Sequence, residues 1–264
     1  MTAGGPVRAW VDHVRVTPPT PEFRAYAHRG GSLEACENSL SAFRRAAGLG
    51  FTYLETDVRP TRDGVAVLHH DAGLDRTTDG QGPVRMRTWR EVQAVHLADG
   101  STPLRLEELL EELPHAHLTI DAKEAGAVPA IADAVNRSGA GNRVCVTSFS
   151  PARLNRLRRL LPHVESGAHP GEVLRLRFGT PLLRALPRVT RVQVPPRAFA
   201  VPLVRASVIA RARRLGLGLD VWTVDDPAQM RDLILLGVDG IMTDRPSALK
   251  DVLATVSGSD NRTH

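Results

Sequence analysis

Two imidazoles, a guanidinium and three carboxylates fall within a short stretch of this chain, at His28-Arg29-Gly30, Glu55-Thr56-Asp57 and His70-Asp71. Imidazole titrates near neutral pH and both accepts and donates a proton, so His28 and His70 suit general acid-base catalysis. Glu55 and Asp57 are two apart; on a strand they share a face and can grip one cation between them. With Asp121 they form an all-oxygen set suited to a single hard divalent ion, calcium or magnesium. Arg29 and Lys123 add positive charge, and a planar guanidinium matches a phosphate in a bidentate fashion. Together these groups describe phosphoryl chemistry, with one histidine activating a nucleophile and the other protonating a leaving alkoxide. A zinc hydrolase would want clustered histidine ligands, and His13, His96, His115, His117, His163 and His169 show no such spacing.

Each residue also has a plainer reading. Glu55 and Asp57 could form a solvated strand face, Lys123 could pair with Asp121 or Glu124, and Trp222 could fill the core. His69 lies beside His70, and strand alternation sends one inward and the other outward. What favours a working site is joint placement at the ends of separate strands.

Strands and helices must supply that placement. Residues 24–28 and 51–58 read as strands ending on the histidine and the two carboxylates, with a helix between them from an N-cap at Ser39 to Ala47. Arg62-Asp63-Gly64 is a tight turn, so the run 65–68 pairs antiparallel with its predecessor and begins an insertion, about 59–105, over one end of the fold. A helix at 106–113 closes it. Strand patterns follow at 117–122, 143–148, 163–166, 189–194, 219–224 and 240–243. Helical patterns lie at 127–138, 151–161, 171–177, 203–215, 227–236 and 246–255. Eight strands, each followed by a helical pattern, predict an α/β fold of the (β/α)8 TIM-barrel type, with a small insertion after the second barrel strand. A doubly wound sheet lacks support because no phosphate-binding glycine fingerprint opens a helix. The expected organisation is an extended lead-in over 1–22, one barrel domain over 23–256 and a disordered tail over 257–264.

Bulk composition is that of a globular protein, with 42% hydrophobic and 24% charged residues. No apolar run is long enough to cross a membrane and no secretory pattern opens the chain, so the expected compartment is the cytoplasm. Cys36 and Cys145 read as free thiols. A net charge of +5 invites a nucleic-acid partner, but three Trp and two Tyr give little stacking surface. The arginines at 153–159 and 211–214 recur beside leucines at helical spacing and read as solvated helix faces, so no nucleic-acid partner is expected.

The order and spacing of His28-Arg29-Gly30, Cys36-Glu37-Asn38-Ser39, Glu55-Thr56-Asp57-Val58, Thr61-Arg62-Asp63-Gly64 and His70-Asp71 resemble the glycerophosphodiester phosphodiesterases. The likeness continues through Asp121-Ala122-Lys123, Ser148-Phe149, Val221-Trp222-Thr223-Val224 and the run from Gly237 to Pro246. It implies a divalent metal and a glycerophosphodiester substrate, cut to glycerol phosphate and an alcohol. It assigns His28 and His70 as the acid-base pair, Arg29 and Lys123 to the phosphate, Trp222 to the glycerol part, and Glu55, Asp57 and Asp121 to the metal. Three positions depart from the family pattern. Cys36 replaces a usual proline, Asp121 a usual glutamate, and Asp225 a frequent asparagine, which adds negative charge near the mouth. Two rival readings remain. One is a lysophospholipase D of the same barrel type, with Leu176, Phe178, Leu182, Leu183 and Phe199 lining an acyl groove. The other is a non-catalytic barrel that binds a phosphorylated ligand.

Overall fold

The computed structural model describes residues 23–178, 189–198 and 201–259. Strand β1 (Arg24–His28) leads through a glycine-rich loop to helix α1 (Leu40–Gly48), whose N-cap Ser39 accepts from the Ala42 amide. Then come β2 (Tyr53–Pro60), β3 (Ala66–Leu68), α2 (Trp89–Val92) and α3 (Leu106–Glu112). The remaining barrel repeats are β4 (His117–Ala122), α4 (Ala127–Arg137), β5 (Val144–Thr147), α5 (Pro151–Leu160), β6 (Glu165–Gly167) and α6 (Pro170–Phe178). They continue with β7 (Val189–Val194), the two-residue pair β8 (Arg197–Ala198) and β9 (Val201–Pro202), α7 (Ala206–Arg214), β10 (Gly218–Val221), α8 (Pro227–Leu236), β11 (Gly240–Thr243) and α9 (Pro246–Ser259).

Eight of these strands, in the order β1, β2, β4, β5, β6, β7, β10 and β11, are parallel and close into a barrel through the β1–β11 pair. The element boundaries read from periodicity agree within a few residues. Helix α9 runs to Ser259, past the position where the tail was expected to begin, and the lead-in over 1–22 lies outside the described residues. Among the described residues no helix is long and apolar enough to cross a membrane.

β3 pairs antiparallel with β2, from Val58 opposite Leu68 to Pro60 opposite Ala66, and begins the excursion that returns at α3. That excursion has a small core of its own, in which Val67, Leu74, Val84 and Val92 are buried with Val65, Trp89 and Val95 against them. A capping box joins Thr88 and Glu91 at the start of α2. The insertion is therefore a packed unit, able to hold a side chain in place.

The barrel interior is more polar than its strand patterns suggest. Arg191 forms an ion pair with Asp220, donating from Nε to Oδ2 at 2.9 Å and from Nη2 to Oδ1, and Tyr26 donates its hydroxyl to Asp220 Oδ2 at 3.1 Å. Both charges are buried. Glycine makes the pair possible. A Cβ at Gly218 would lie 1.9 Å from Arg191 Nη1, and one at Gly240 would lie 2.4 Å from Asp220 Oδ1 and 2.7 Å from the Arg24 carbonyl oxygen. Removing one member of such a pair strands the other charge in low dielectric. Arg191→Met is expected to cost about 3–5 kcal/mol in urea denaturation, and adding Asp220→Asn to recover part of that loss.

Candidate active site

The end of β1 and the loop after it build the first part of the site. His28 stands opposite Glu55 in the β1–β2 register. Its Nδ1 lies 2.6 Å from Asp244 Oδ1, which also accepts from the Ser32 hydroxyl at 2.6 Å. A carboxylate can only accept, so Nδ1 carries the hydrogen and Nε2 is turned toward the site, 3.6 Å from Glu55 Oε2. Arg29 adopts a left-handed conformation with φ 51°, and its amide reaches both the Glu55 carbonyl at 3.0 Å and Glu55 Oε2 at 3.3 Å. Gly30 must follow, because a Cβ there would lie 2.7 Å from Ala42 Cβ at the start of α1.

Strands β2 and β4 supply the carboxylates, with Asp57 opposite Asp121. Lys123, just beyond β4, places its Nζ 2.7 Å from Asp57 Oδ1 and 2.7 Å from Asp121 Oδ2, while Arg29 Nε lies 2.9 Å from Asp57 Oδ2. All three carboxylates are buried. Burial, reinforced by Asp57, pushes Glu55 up to about 7. Burial also opposes ionisation of Asp57, but Lys123 and Arg29 hold its carboxyl below the usual range. Burial raises Asp121 in spite of Lys123. At His28 burial disfavours the charged ring, yet Glu55 and Asp244 outweigh it and raise the pKa.

His70 enters from the insertion. Its Nδ1 donates to Asp71 Oδ1 at 2.7 Å, again leaving Nε2 free of that bond. Arg76 then ties Asp71 to Glu37, donating to Asp71 Oδ2 at 2.6 Å and to the two Glu37 oxygens at 2.8 Å each. Glu37 Oε1 in turn accepts from Arg29 Nη1 at 3.3 Å. An unbroken chain of charged groups thus runs from His70 to Asp57. His69 takes the other direction: it is buried, its Nε2 lies 2.8 Å from the Gly73 carbonyl oxygen, and burial lowers its pKa.

Trp222 completes the rim. Its ring meets exposed Phe149 edge-on at 5.7 Å, and Lys123 Nζ is 6.0 Å from the centre of the Phe149 ring. Every site residue expected from the sequence therefore connects to one region. Glu37, Arg76 and Asp244 join it although the residue pattern gave them no role, since nothing local in their neighbourhoods signals a contact made across the fold. Asp225 Oδ1 also accepts from the Thr243 hydroxyl at 2.9 Å and the Asp244 amide at 2.8 Å, bracing the residue that holds His28.

Among the described residues, no three His, Cys, Asp or Glu side chains already stand as a metal cage. The donor chemistry nevertheless fits a hard cation. Asp121 Oδ1 and both Asp57 oxygens are buried without a hydrogen bond, although Lys123 and Arg29 stand within ion-pair distance of Asp57. Three buried carboxylates against one lysine and one arginine leave negative charge that a divalent ion would balance.

A family model described as the glycerophosphoryl diester phosphodiesterase family matches residues 28–248. The chain is 40% identical over 249 residues to a probable glycerophosphodiester phosphodiesterase 2 of Mycobacterium tuberculosis, covering 89% of this chain and 94% of that one. It is 30% identical over 237 residues to a glycerophosphodiester phosphodiesterase of Caldanaerobacter subterraneus, covering 84% and 94%. A crystal structure of glycerophosphodiester phosphodiesterase from Agrobacterium tumefaciens superposes with a TM-score of 0.77 at 28% identity, over 88% of this chain and 99% of that one.

The His28 geometry fixes a pH dependence. Because its folded-state pKa is raised, His28 contributes stability below its unfolded value of about 6.5, and that contribution is lost as pH rises through the folded value. Asp244→Asn removes an acceptor that favours the charged ring, so the His28 midpoint should fall in an NMR titration run in EDTA. The stability gap between wild type and variant should narrow as pH rises. An unchanged midpoint would mean that Asp244 has no hold on the proton.

Proposed function

The chain belongs to the glycerophosphoryl diester phosphodiesterase family, and from that premise we propose metal-dependent hydrolysis of glycerophosphodiesters to glycerol phosphate and an alcohol by a His28/His70 pair. The observation that carries this reading is the matched tautomer of the two rings: each gives its Nδ1 hydrogen to an aspartate, at 2.6 Å and 2.7 Å, and keeps Nε2 for the substrate. Burial opposes the charged ring of His28, but Glu55 and Asp244 on either side outweigh it, so His28 serves as the acid. His70 serves as the base.

In this reading Arg29 and Lys123 hold the phosphate by charge, and Trp222 with Phe149 forms the apolar wall against which the glycerol carbons lie. His70 Nε2 takes the proton of the attacking hydroxyl as it approaches phosphorus, and His28 Nε2 delivers a proton to the departing alkoxide. When the attacking hydroxyl belongs to the substrate's own glycerol, the first product is a cyclic phosphate, and water opens it with the two histidines exchanging roles. Glu55, Asp57 and Asp121 would hold one divalent ion, calcium or magnesium, which when bound supplies charge stabilisation at the nonbridging phosphate oxygens. A purely binding barrel would need the cations but not two oriented histidines. The apolar groove required by a lysophospholipase D reading gains no support. Leu176 is buried in the core, Phe178 is exposed to solvent, and 182, 183 and 199 lie outside the described residues.

The test is release of glycerol phosphate from glycerophosphocholine and glycerophosphoethanolamine, with and without EDTA. Wild type should lose activity in EDTA and regain it with added calcium or magnesium. His28→Ala and His70→Ala should each lower kcat by about 10²–10⁴. Full activity in either variant would overturn the acid-base assignment, and full activity in EDTA would overturn the metal assignment.

A further inference from the structure

The chain carries 34 basic and 29 acidic residues, but they are far from evenly spread. Residues 149–219 hold fourteen arginines against two acids, Glu165 and Glu172, which gives this segment +12 and leaves the remainder, with 20 basic and 27 acidic residues, at −7. In the fold the described residues of this segment form one sector of the barrel wall. Helix α6 packs on α7, and α5 is tied to α6 by the Arg158–Glu172 ion pair at 2.8 Å.

Some of these arginines are spent inside the protein. Arg191 pairs with buried Asp220, Arg153 donates to the Ser148 hydroxyl, and Arg211 donates to the carbonyls of Leu176 and Arg177 at the end of α6. Others face water. Arg156, Arg159, Arg175 and Arg214 are exposed, and none takes part in an ion pair among the described residues.

A second feature falls on the same sector. Of the seven exposed large hydrophobic residues described, five lie within it: Phe149, Leu160, Leu174, Phe178 and Val201. Leu174 is 56% exposed and Phe178 64%, and their i, i+4 spacing puts them on one stripe of α6 beside Arg175. Arg177 lies over the Phe178 ring at 5.5 Å. Hydrophobic side chains on a cationic surface give nothing to a nucleic-acid backbone, which is held by charge and polar contacts. They do match a bilayer of anionic lipid, where guanidinium groups meet phosphates while leucine and phenylalanine enter the headgroup–acyl boundary.

We propose that the α5–α6–α7 sector is a docking surface for an anionic phospholipid bilayer, with Arg156, Arg159 and Arg175 supplying attraction and Leu174 and Phe178 supplying insertion. Phe149 belongs to the same segment and stands on the rim of the site against Trp222.

The experiment is flotation of the full chain with vesicles of phosphatidylcholine, with and without phosphatidylglycerol, at low and at high salt. Wild type should float with the phosphatidylglycerol vesicles at low salt and not with phosphatidylcholine alone. The variant Arg156→Glu/Arg159→Glu/Arg175→Glu should bind those vesicles more than about tenfold more weakly. Leu174→Ser/Phe178→Ser should also lose binding while its far-UV circular dichroism and its hydrolysis of a water-soluble glycerophosphodiester stay at wild-type levels. No flotation of wild type at low salt would overturn the proposal. So would wild-type flotation by the Leu174→Ser/Phe178→Ser variant, which would reduce the surface to charge adsorption. Tighter binding to a DNA duplex than to the vesicles, indifferent to that variant, would overturn it in favour of a nucleic-acid partner.

Discussion

Three carboxylates cannot be buried side by side on neighbouring strands unless cations are brought to them, and this constraint shapes the mouth of the barrel. Glu55, Asp57 and Asp121 meet because β2 lies between β1 and β4 with Asp57 level with Asp121. Lys123 answers from one side and Arg29 from the other. Arg29 reaches Asp57 only because its backbone turns into the left-handed region, and that turn requires the space that Gly30 leaves against α1. Local strain, glycine placement and the approach of the first helix thus all follow from the need to neutralise one aspartate. The compensation is incomplete, since burial still raises both Glu55 and Asp121. A site with residual buried negative charge is poised to take a further cation, and it can hold a proton on a neighbouring histidine in the meantime.

The same electrostatics join two parts of the molecule that have separate cores. His70 belongs to an insertion packed around Val67, Leu74, Val84 and Val92, whereas His28 belongs to the barrel. Arg76 spans them, gripping Asp71 on the insertion and Glu37 on the loop after β1. The proposed proton transfer by His28 and His70 requires that both rings keep their spacing. Paired contacts from one guanidinium to two carboxylates tie the insertion to the loop after β1.

Most of the architecture was legible in the sequence. Regular alternation of apolar runs and helical patterns gave eight strands, and the short turn at Arg62-Asp63-Gly64 excluded residues 66–68 from the barrel, as the antiparallel β2–β3 pair shows. The residues assigned by type and spacing meet in one region, although their chemical roles rest on the proposal above. What stayed hidden is long-range pairing. Asp244 is 216 positions from His28, and Arg191 and Asp220 sit in strands whose alternation gives no hint that two charges share the barrel interior. Periodicity reports which face a residue lies on; it does not report what stands opposite. The β8–β9 pair escaped for a different reason, because two-residue strands have no period.

A division of labour follows from where the site residues originate. They come from β1, β2, the insertion, β4, β10 and β11, together with the loops that follow these strands. Among the described residues between β5 and α7, Phe149 stands at the rim, while Ser148 beside it bonds to the Ala122 carbonyl oxygen at 2.8 Å and serves the scaffold. That sector must keep its strands paired and its inner faces packed, but no reacting group depends on its outer surface. Ion pairing pins the charge of the half that holds the candidate site, where buried carboxylates and their partners must stay matched. The other half is free to carry arginines and exposed leucines wherever a surface interaction favours them. The polarised charge of the chain is what such freedom permits, and a (β/α)8 barrel allows it because each repeat contributes to the common core while presenting its own helix to the outside.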